Sequence, residues 1–269
     1  QVIELDDDWI FFIKSNFAPI FEWSLWNWAK YLQNHNPNIP SILNKLMPPI
    51  SRESLAKQKY MWNSMIDKSL IRCIYTNEII KKNTAFYKAK YGDDIPFRYH
   101  AAIRSEEACL KATKRVLDIA RKYDNRLHVF HISTLSEALL FDNQKPVNEK
   151  RITAEACVHH LWFSDMDYDT LGAKIKWNPA IKSIADRDGL LEALLNNHLD
   201  IIATDHAPHT VTEKSGIYTK ALSGGPLVQH ALSAILELYH RGKISLEKIA
   251  EKMSHHVAEI YKIKERGYI

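Results

Sequence analysis

Glycine is scarce in this sequence of 269 residues: it has eight glycines, and the first is Gly92. Proteins that alternate strands and helices usually need positive backbone φ angles in their tight turns, and glycine adopts these at the lowest cost. The lack of glycine before Gly92 therefore argues against an α/β arrangement in the first ninety residues.

Cysteine is also rare, and long apolar runs are absent. The three cysteines (Cys73, Cys109 and Cys157) include no C-x-x-C pair, which excludes a disulfide framework or a zinc knuckle and indicates free buried thiols in a reducing compartment. No apolar run approaches the ~20 residues that cross a bilayer. The opening "QVIELDDDW" is acidic where a signal peptide is basic. We expect a cytoplasmic protein with no membrane association.

Charge gives no sign of a nucleic-acid partner. The net charge is +4 and the isoelectric point is near 8.8, but basic residues are scattered among nearly as many acids, without a run of five like charges. This pattern favours a solvated surface over a nucleic-acid-binding stripe.

The first part of the chain differs from the rest. Five of the seven tryptophans lie in the first 62 residues. In "FEWSLWNWAKYLQ", aromatic and apolar residues recur at helical spacing, and "SRESLAKQKYMWNSMI" resumes that spacing after a proline-rich break. We predict a mainly helical N-terminal segment over residues 1–84. Its aromatic stripe fits helix packing; a stacking platform for bases is the alternative, although a basic surround is missing.

From about residue 85 helical and strand patterns alternate. Helical spacing covers 104–123, with Ser105 placed to cap the helix, and strand patterns cover 126–133, 151–158 and 199–204. Such alternation predicts a parallel sheet covered by helices, either doubly wound or a (β/α) barrel. No G-x-G-x-x-G or Walker loop is present, which weakens the nucleotide-binding form.

Polar residues follow the predicted strands at the ends where such folds place their active sites. His131 ends one strand, Asp205 of "LDIIATDHAPHT" ends another, and Asn178 of "KIKWNPAIK" lies on a loop between strands. A strand-end histidine is often only a hydrogen-bonded structural residue. A carboxylate with His206 and His209 just after a buried strand is costly unless paired or ligated. The pattern therefore indicates a metal or acid–base site.

Four ordered motifs in this region resemble a known family. "HVFHIST", "RITAEACVHHLWFSD", "IKWNPAIK" and "IIATDHAPH" resemble, in order and spacing, the second half of dihydroorotase, a member of the amidohydrolase superfamily. "FYKAKYG", "YHAAIRSEEACLKATKR", "SGGPLVQHAL" and "KERGYI" extend the likeness from about residue 85 to residue 269. The resemblance implies an α/β fold, a partial (β/α) barrel of the amidohydrolase type over 85–269, after the helical segment.

The resemblance also implies an activity and residue roles. Dihydroorotases reversibly hydrolyse the cyclic amide of dihydroorotate to N-carbamoyl-aspartate at a zinc site, in pyrimidine biosynthesis. His131 matches a zinc ligand. Asp205 matches a ligand that is also general base and acid, moving a proton from hydroxide to the leaving nitrogen. His209 matches a residue that holds the substrate carboxylate, and Asn178 matches one that hydrogen-bonds the substrate.

Several family features have no counterpart here. The family's opening H-x-H ligand pair is absent from the sequence, as is a recognisable bridging carboxylate or carboxylated lysine. Where the family has an H-C-E motif this chain reads "LIRCIYTNEIIKKN", with Cys73 close to that position, and it ends before the family's small β-sandwich segment. His131 and Asp205 alone are fewer than the three protein ligands of a catalytic zinc.

The N-terminal segment resembles another family more weakly. "WAKYLQNHNPNIPSILNKLMPPISRESLAKQKYMWNSMI" with "RCIYTNEII" is similar to the stretch that leads into the core of certain HNH endonucleases, but the metal-binding "DH" core does not follow. Three hypotheses stand: a zinc-dependent cyclic amidohydrolase, a catalytically inactive dihydroorotase-like scaffold or mosaic, and an HNH-related nucleic-acid protein. An unclosed half-barrel exposes strand edges, so we also expect a homo-oligomer.

Overall fold

The structure is a computed structural model, and it describes residues 78–265. These residues belong to one compact unit of the chain, Arg72–Ile269. Nearly all of the predicted helical segment 1–84, the HNH-like stretch up to residue 77 and Cys73 lie outside the described residues, as does "RGYI". The boundary predicted near residue 84 stays a prediction; residues 78–91 form one helix.

Helices and strands alternate through the described region. The helices are α1 (78–91), α2 (His100–Ile103), α3 (Glu106–Lys122), α4 (Leu135–Ala138), α5 (Val158–Trp162), α6 (Tyr168–Leu171), α7 (Ile184–Leu195), α8 (Ala231–His240), α9 (Leu246–Ala250) and α10 (His256–Ile260), and the strands are β1 (Leu127–Ile132), β2 (Ile152–Cys157) and β3 (Ile201–Ala203). Short 3₁₀ turns connect several of these elements, and a π-helical turn, Glu251–His255, joins α9 to α10. Within residues 78–265, none of the helices has the length and apolar content that crossing a bilayer requires.

The three strands form a parallel sheet in the order β1-β2-β3. Leu127 of β1 is paired with Ile152 of β2, and Glu155 of β2 is paired with Ile201 of β3. Parallel neighbours joined through helices are the arrangement that the alternating pattern predicts, and their carboxyl ends lie at one edge of the sheet. All three predicted strands are confirmed.

Helix α3 shows how local sequence sets an element's bounds. The Ser105 side chain accepts a hydrogen bond from the Ala108 backbone N–H at 3.3 Å, and Glu106 and Glu107 occupy the first turn. A side-chain cap of this kind contributes about 1 kcal/mol, and acidic residues favour the positive end of the helix dipole. The predicted cap is confirmed.

The two faces of the sheet differ in chemistry. Ala154 and Ala156 of β2 belong to the main hydrophobic core, which the sheet shares with the surrounding helices. Alternate residues of a strand point to opposite faces, so Thr153, Glu155 and Cys157 project from the other face. All three are buried. A buried polar face is the feature that positions the candidate site.

The C-terminal helices make contacts with distant parts of the chain. Helix α8 begins at Ala231, and in the turn before it the Val228 backbone N–H donates to His206 Nδ1 at 3.1 Å. The helical stretch that follows α8 is interrupted by the π-helical turn. Lys252 in that turn is fully buried and donates to the Asn197 side chain and the Leu199 carbonyl, at 2.9 and 3.0 Å.

Candidate metal centre

His131 is the next-to-last residue of β1, Asp205 lies two residues after the end of β3, and both have unusual backbone angles. The φ angle is 42° at His131 and 45° at Asp205. The left-handed region is uncommon for residues other than glycine, and such residues cluster at functional sites. The local backbone therefore turns sharply where each side chain leaves its strand.

The two side chains interact electrostatically. Burial raises the pKa of the Asp205 carboxyl and the charge of Glu155 raises it further, whereas His131 lowers it. The predicted pairing of the Asp205 carboxylate with the His131 imidazole stays a prediction. The raised pKa shifts the carboxyl group in the direction that suits proton transfer.

Glu155 connects the site to the buried polar face of the sheet, and sequence reasoning missed it. One oxygen accepts a hydrogen bond from the His131 backbone N–H at 3.3 Å, and the other lies 3.1 Å from His128 Nε2. His128 Nδ1 lies 2.7 Å from the Thr153 hydroxyl oxygen. This chain of contacts fixes the backbone at the end of β1.

His159, a second residue that sequence reasoning missed, lies on α5 just after β2. It is fully buried, and neither ring nitrogen has a hydrogen-bond partner among the described residues. Burial lowers its pKa to about 3, and the charge of His131 lowers it in the same direction. The imidazole is therefore neutral at physiological pH, the form that ligates metals.

Cys157 and His160 flank His159 and complete a cluster of metal-ligating side chains. One donor atom from each of the three residues lies within 4.8 Å of the others. The visible sequence signal was three ligand-type residues in four positions directly after a strand, in "ACVHHL". That signal alone does not show that the side chains converge.

Trp177 forms a wall of the site and positions the neighbouring Asn178. His100 anchors its backbone, with Nε2 2.7 Å from the Trp177 carbonyl oxygen and Nδ1 2.8 Å from the Tyr218 hydroxyl. Since His100 is neutral and donates from Nε2 to the carbonyl, Nδ1 accepts from Tyr218. Asn178 is exposed, and its predicted role in binding the substrate stays a prediction.

His209 lies in the loop after β3, and its contacts are within that loop. Its Nε2 lies 3.0 Å from the Ser223 carbonyl oxygen, and its Nδ1 lies 4.0 Å from a Glu213 oxygen. Gly224 packs close by: an added Cβ would lie 3.1 Å from His209 Nε2. The predicted role of His209 in holding a substrate carboxylate stays a prediction.

The residues present fit a metal ion. Buried nitrogen atoms without a partner are costly, and ligation satisfies them. His159 has two such nitrogens and His160 has one, while His131 and Asp205 supply a nitrogen and an oxygen donor at the same edge. Histidine, cysteine and carboxylate are the donors that zinc prefers.

The sequence matches several curated dihydroorotases over part of its length, although no protein-family model matches it. It is 32% identical over 169 residues to that of Halobacterium salinarum, covering 63% of this chain and 39% of the relative. It is 32% identical over 205 residues to the dihydroorotase of Methanosphaera stadtmanae, and this match covers 76% of this chain and 44% of the relative. The resemblance to dihydroorotase is confirmed, and the chain spans less than half the length of these relatives.

Solved structures show the fold. Dihydropyrimidinase from Brevibacillus agri is 25% identical with a TM-score of 0.63, covering 71% of this chain and 43% of that one. Dihydroorotase from Saccharomyces cerevisiae in complex with 5-fluoroorotic acid is 20% identical with a TM-score of 0.53. This match covers 61% of this chain and 45% of the yeast chain. The predicted fold class, a partial (β/α) barrel of the amidohydrolase type, is confirmed.

Proposed function

We propose that this chain carries a zinc-dependent cyclic amidohydrolase site that hydrolyses dihydroorotate to N-carbamoyl-aspartate. The proposal is carried by the positions of His131 near the end of β1 and Asp205 just after β3, both with left-handed backbone, and by the electrostatic interaction of their side chains. The similarity to curated dihydroorotases supports the choice of substrate.

The proposed metal ligands are His131, Asp205 and His159. His159 brings the number of protein ligands to three, the number that a catalytic zinc normally keeps. When bound, zinc lowers the pKa of water to about 7 and polarises the substrate carbonyl. His159 contributes a neutral imidazole, and Glu155 holds the backbone of His131 in place.

Asp205 is the proposed general base and acid. Its carboxylate takes a proton from the attacking water, the water oxygen bonds to the ring carbonyl carbon, and the carbon–nitrogen bond of the cyclic amide breaks. The carboxyl group then delivers the same proton to the leaving nitrogen. A pKa raised by burial favours a group that must hold and release this proton.

Substrate binding is assigned to Asn178 and His209. Asn178 is exposed beside Trp177 and offers an amide donor and acceptor. His209 must exchange its hydrogen bond with Ser223 for one to the substrate carboxylate. We therefore expect the loop around Gly224 to shift when substrate binds.

An inactive dihydroorotase-like scaffold is the second candidate. It is favoured by the absence of an H-x-H pair from the sequence. In both cases, a homo-oligomeric state, a cytoplasmic location and a domain boundary near residue 84 are part of the proposal.

The experiment is a dihydroorotate hydrolysis assay on the full chain supplied with zinc. We expect hydrolysis above the buffer rate, abolished by a chelator and lowered at least about 100-fold by Asp205→Asn, which keeps the shape of the side chain but cannot serve as base. Hydantoin and dihydrouracil, tested in parallel, establish which cyclic amide is preferred. Equal background rates for wild type and variant on all three would support the scaffold.

A further inference from the structure

The junction between β2 and α5 carries three metal-ligating side chains in a closed, buried arrangement. Cys157 and His159 are fully buried, and His160 is 2% exposed. Their donor atoms lie within 4.8 Å of one another. The hydrolytic site proposed above uses only His159 of these three residues.

The imidazoles of His159 and His160 have buried ring nitrogens that make no hydrogen bond to the described residues. His160 Nε2 lies 3.3 Å from the Pro179 carbonyl oxygen, so this nitrogen carries the proton and donates it. His160 Nδ1 and both nitrogens of His159 then have no partner among the described residues. A histidine that donates one N–H to a carbonyl and directs the other nitrogen at a metal is the usual arrangement in metal sites.

We propose that Cys157, His159 and His160 form a binding site for one thiophilic divalent cation of the zinc class. In a tetrahedral site, zinc–sulfur and zinc–nitrogen bonds of about 2.3 and 2.0 Å hold the donor atoms about 3.5 Å apart. Since no pair exceeds 4.8 Å, side-chain shifts of about 1 Å close the site. A water molecule or a nearby side chain completes the coordination.

Cation binding requires the thiolate form of Cys157. The sulfur–metal bond forms while the S–H proton leaves to the buffer, so charge and atoms balance. Burial and the charges of Glu155 and Asp205 raise the pKa of the thiol, and a hydrogen bond from the His131 backbone acts in the opposite direction. The cation supplies the positive charge that this buried sulfur lacks.

This site goes beyond the proposed hydrolysis and stands without it. A neutral imidazole offers one lone pair. His159 therefore binds a cation either together with Cys157 and His160, here called the trio, or together with His131 and Asp205. The chain therefore holds one cation at His159 at a time. The trio needs neither His131 nor Asp205.

Cobalt(II) titration of the full chain tests the site, because thiolate-bound cobalt has a near-ultraviolet charge-transfer band that nitrogen and oxygen ligands do not give. The double variant Cys73→Ser, Cys109→Ser leaves Cys157 as the sole thiol and serves as the reference. We expect this reference to bind about one cobalt with the band, and zinc to displace it. Adding His131→Ala with Asp205→Asn should leave the band in place.

In two further variants we expect the cobalt site to be lost or weakened. Cys157→Ser in the reference removes the band, and His160→Phe, which keeps the thiol, weakens cobalt binding at least about tenfold. Circular dichroism confirms that each variant folds; if Cys157→Ser does not, His160→Phe carries the comparison. Cobalt bound by the reference without the band, or no cobalt bound, overturns the inference.

The outcomes separate this inference from the proposed function. Hydrolysis that persists in a protein whose cobalt gives no charge-transfer band overturns the trio alone. A charge-transfer band in a protein that hydrolyses no cyclic amide overturns the hydrolytic proposal alone.

Discussion

His159 and Trp177 stack face to face, with ring centroids 4.6 Å apart and ring planes 10° from parallel. The indole covers one face of an imidazole whose nitrogens have no hydrogen-bond partner among the described residues. A histidine that served only packing would be better replaced by an apolar ring in this place. The proposed metal ligation would account for an imidazole here.

Replacement of His159 by phenylalanine tests that explanation. We expect the metal-free variant to be as stable as wild type or more stable, by up to about 2 kcal/mol, because it removes buried polar atoms without partners. Zinc should raise the melting temperature of wild type and leave the variant unchanged. Thermal unfolding with chelator and with zinc measures both effects.

His198→Phe is the matched control. His198 is partly buried and its Nδ1 lies 2.8 Å from the Phe141 carbonyl oxygen, so the substitution removes a hydrogen bond away from the site. This variant should be destabilised and should keep the zinc shift. A zinc shift that survives in His159→Phe contradicts the ligand role.

Stability should fall below neutral pH through His100. Burial lowers the pKa of His100 to about 3, although the Trp177 carbonyl acts against that shift. The unfolded chain binds a proton near pH 6.5 and the folded chain near pH 3, so the free energy of unfolding decreases as pH falls through this window, by up to about 1.4 kcal/mol per pH unit for this residue.

His100→Gln removes that contribution while keeping a donor for the Trp177 carbonyl and an acceptor for Tyr218. Urea unfolding of the metal-free proteins between pH 7 and 4 should give a shallower pH dependence for the variant, by about one proton. Parallel curves would show that His100 is not the titrating group.

Gly225 allows Trp177 to lie close to the loop after β3. A Cβ added at Gly225 would lie 2.3 Å from an indole carbon, closer than any real contact. Gly225→Ala should therefore displace Trp177, alter tryptophan fluorescence and weaken metal binding through His159. Gly189→Ala is the control, since its Cβ would meet the Leu135 side chain, at 2.8 Å from Cδ2 and 3.1 Å from Cβ, and not Trp177. Unchanged fluorescence and metal affinity in Gly225→Ala would contradict this role.

The buried ion pair between Lys150 and Asp200 stabilises the start of β3. The charged atoms are 2.7 Å apart and the side chains are 2% and 1% exposed. Lys150→Met should cost about 3–5 kcal/mol, because it leaves a buried carboxylate without its partner. Lys88→Met, which breaks an exposed pair with Asp93, should cost far less, because solvent screens an exposed ion pair. Urea unfolding compares them; equal costs would refute the argument.

A homo-oligomer is expected from the edges of the sheet. Within residues 78–265, β1 and β3 each pair with β2 on one side only, and unpaired parallel edges favour association. Light scattering should give at least twice the chain mass of 31.2 kDa. A uniform species of one chain mass would contradict this expectation.

The parts of the fold that the sequence predicted are those with a strong local signal. The cap at Ser105 and the three strands follow from periodicity and from local capping signals. The π-helical turn at Lys252 had no such signal, because it depends on contacts with Asn197 and Leu199, more than fifty residues away.

The rest of the candidate site depends on burial, which spacing does not reveal. His159 and His160 were visible in "ACVHHL", but their significance lies in missing hydrogen bonds and in packing against Trp177, 18 residues from His159 in the sequence. Glu155 was likewise hidden, because its partner His128 lies 27 residues away on the neighbouring strand.

The central claim is that bound metal drives hydrolysis with Asp205 as the proton carrier. The most direct measurement is the dihydroorotate hydrolysis rate against zinc bound per chain, determined by elemental analysis, for wild type and Asp205→Asn. We expect the wild-type rate to rise with the zinc bound per chain, and the variant to bind zinc with little hydrolysis. A fully zinc-loaded wild type that is no faster than the variant would contradict the claim.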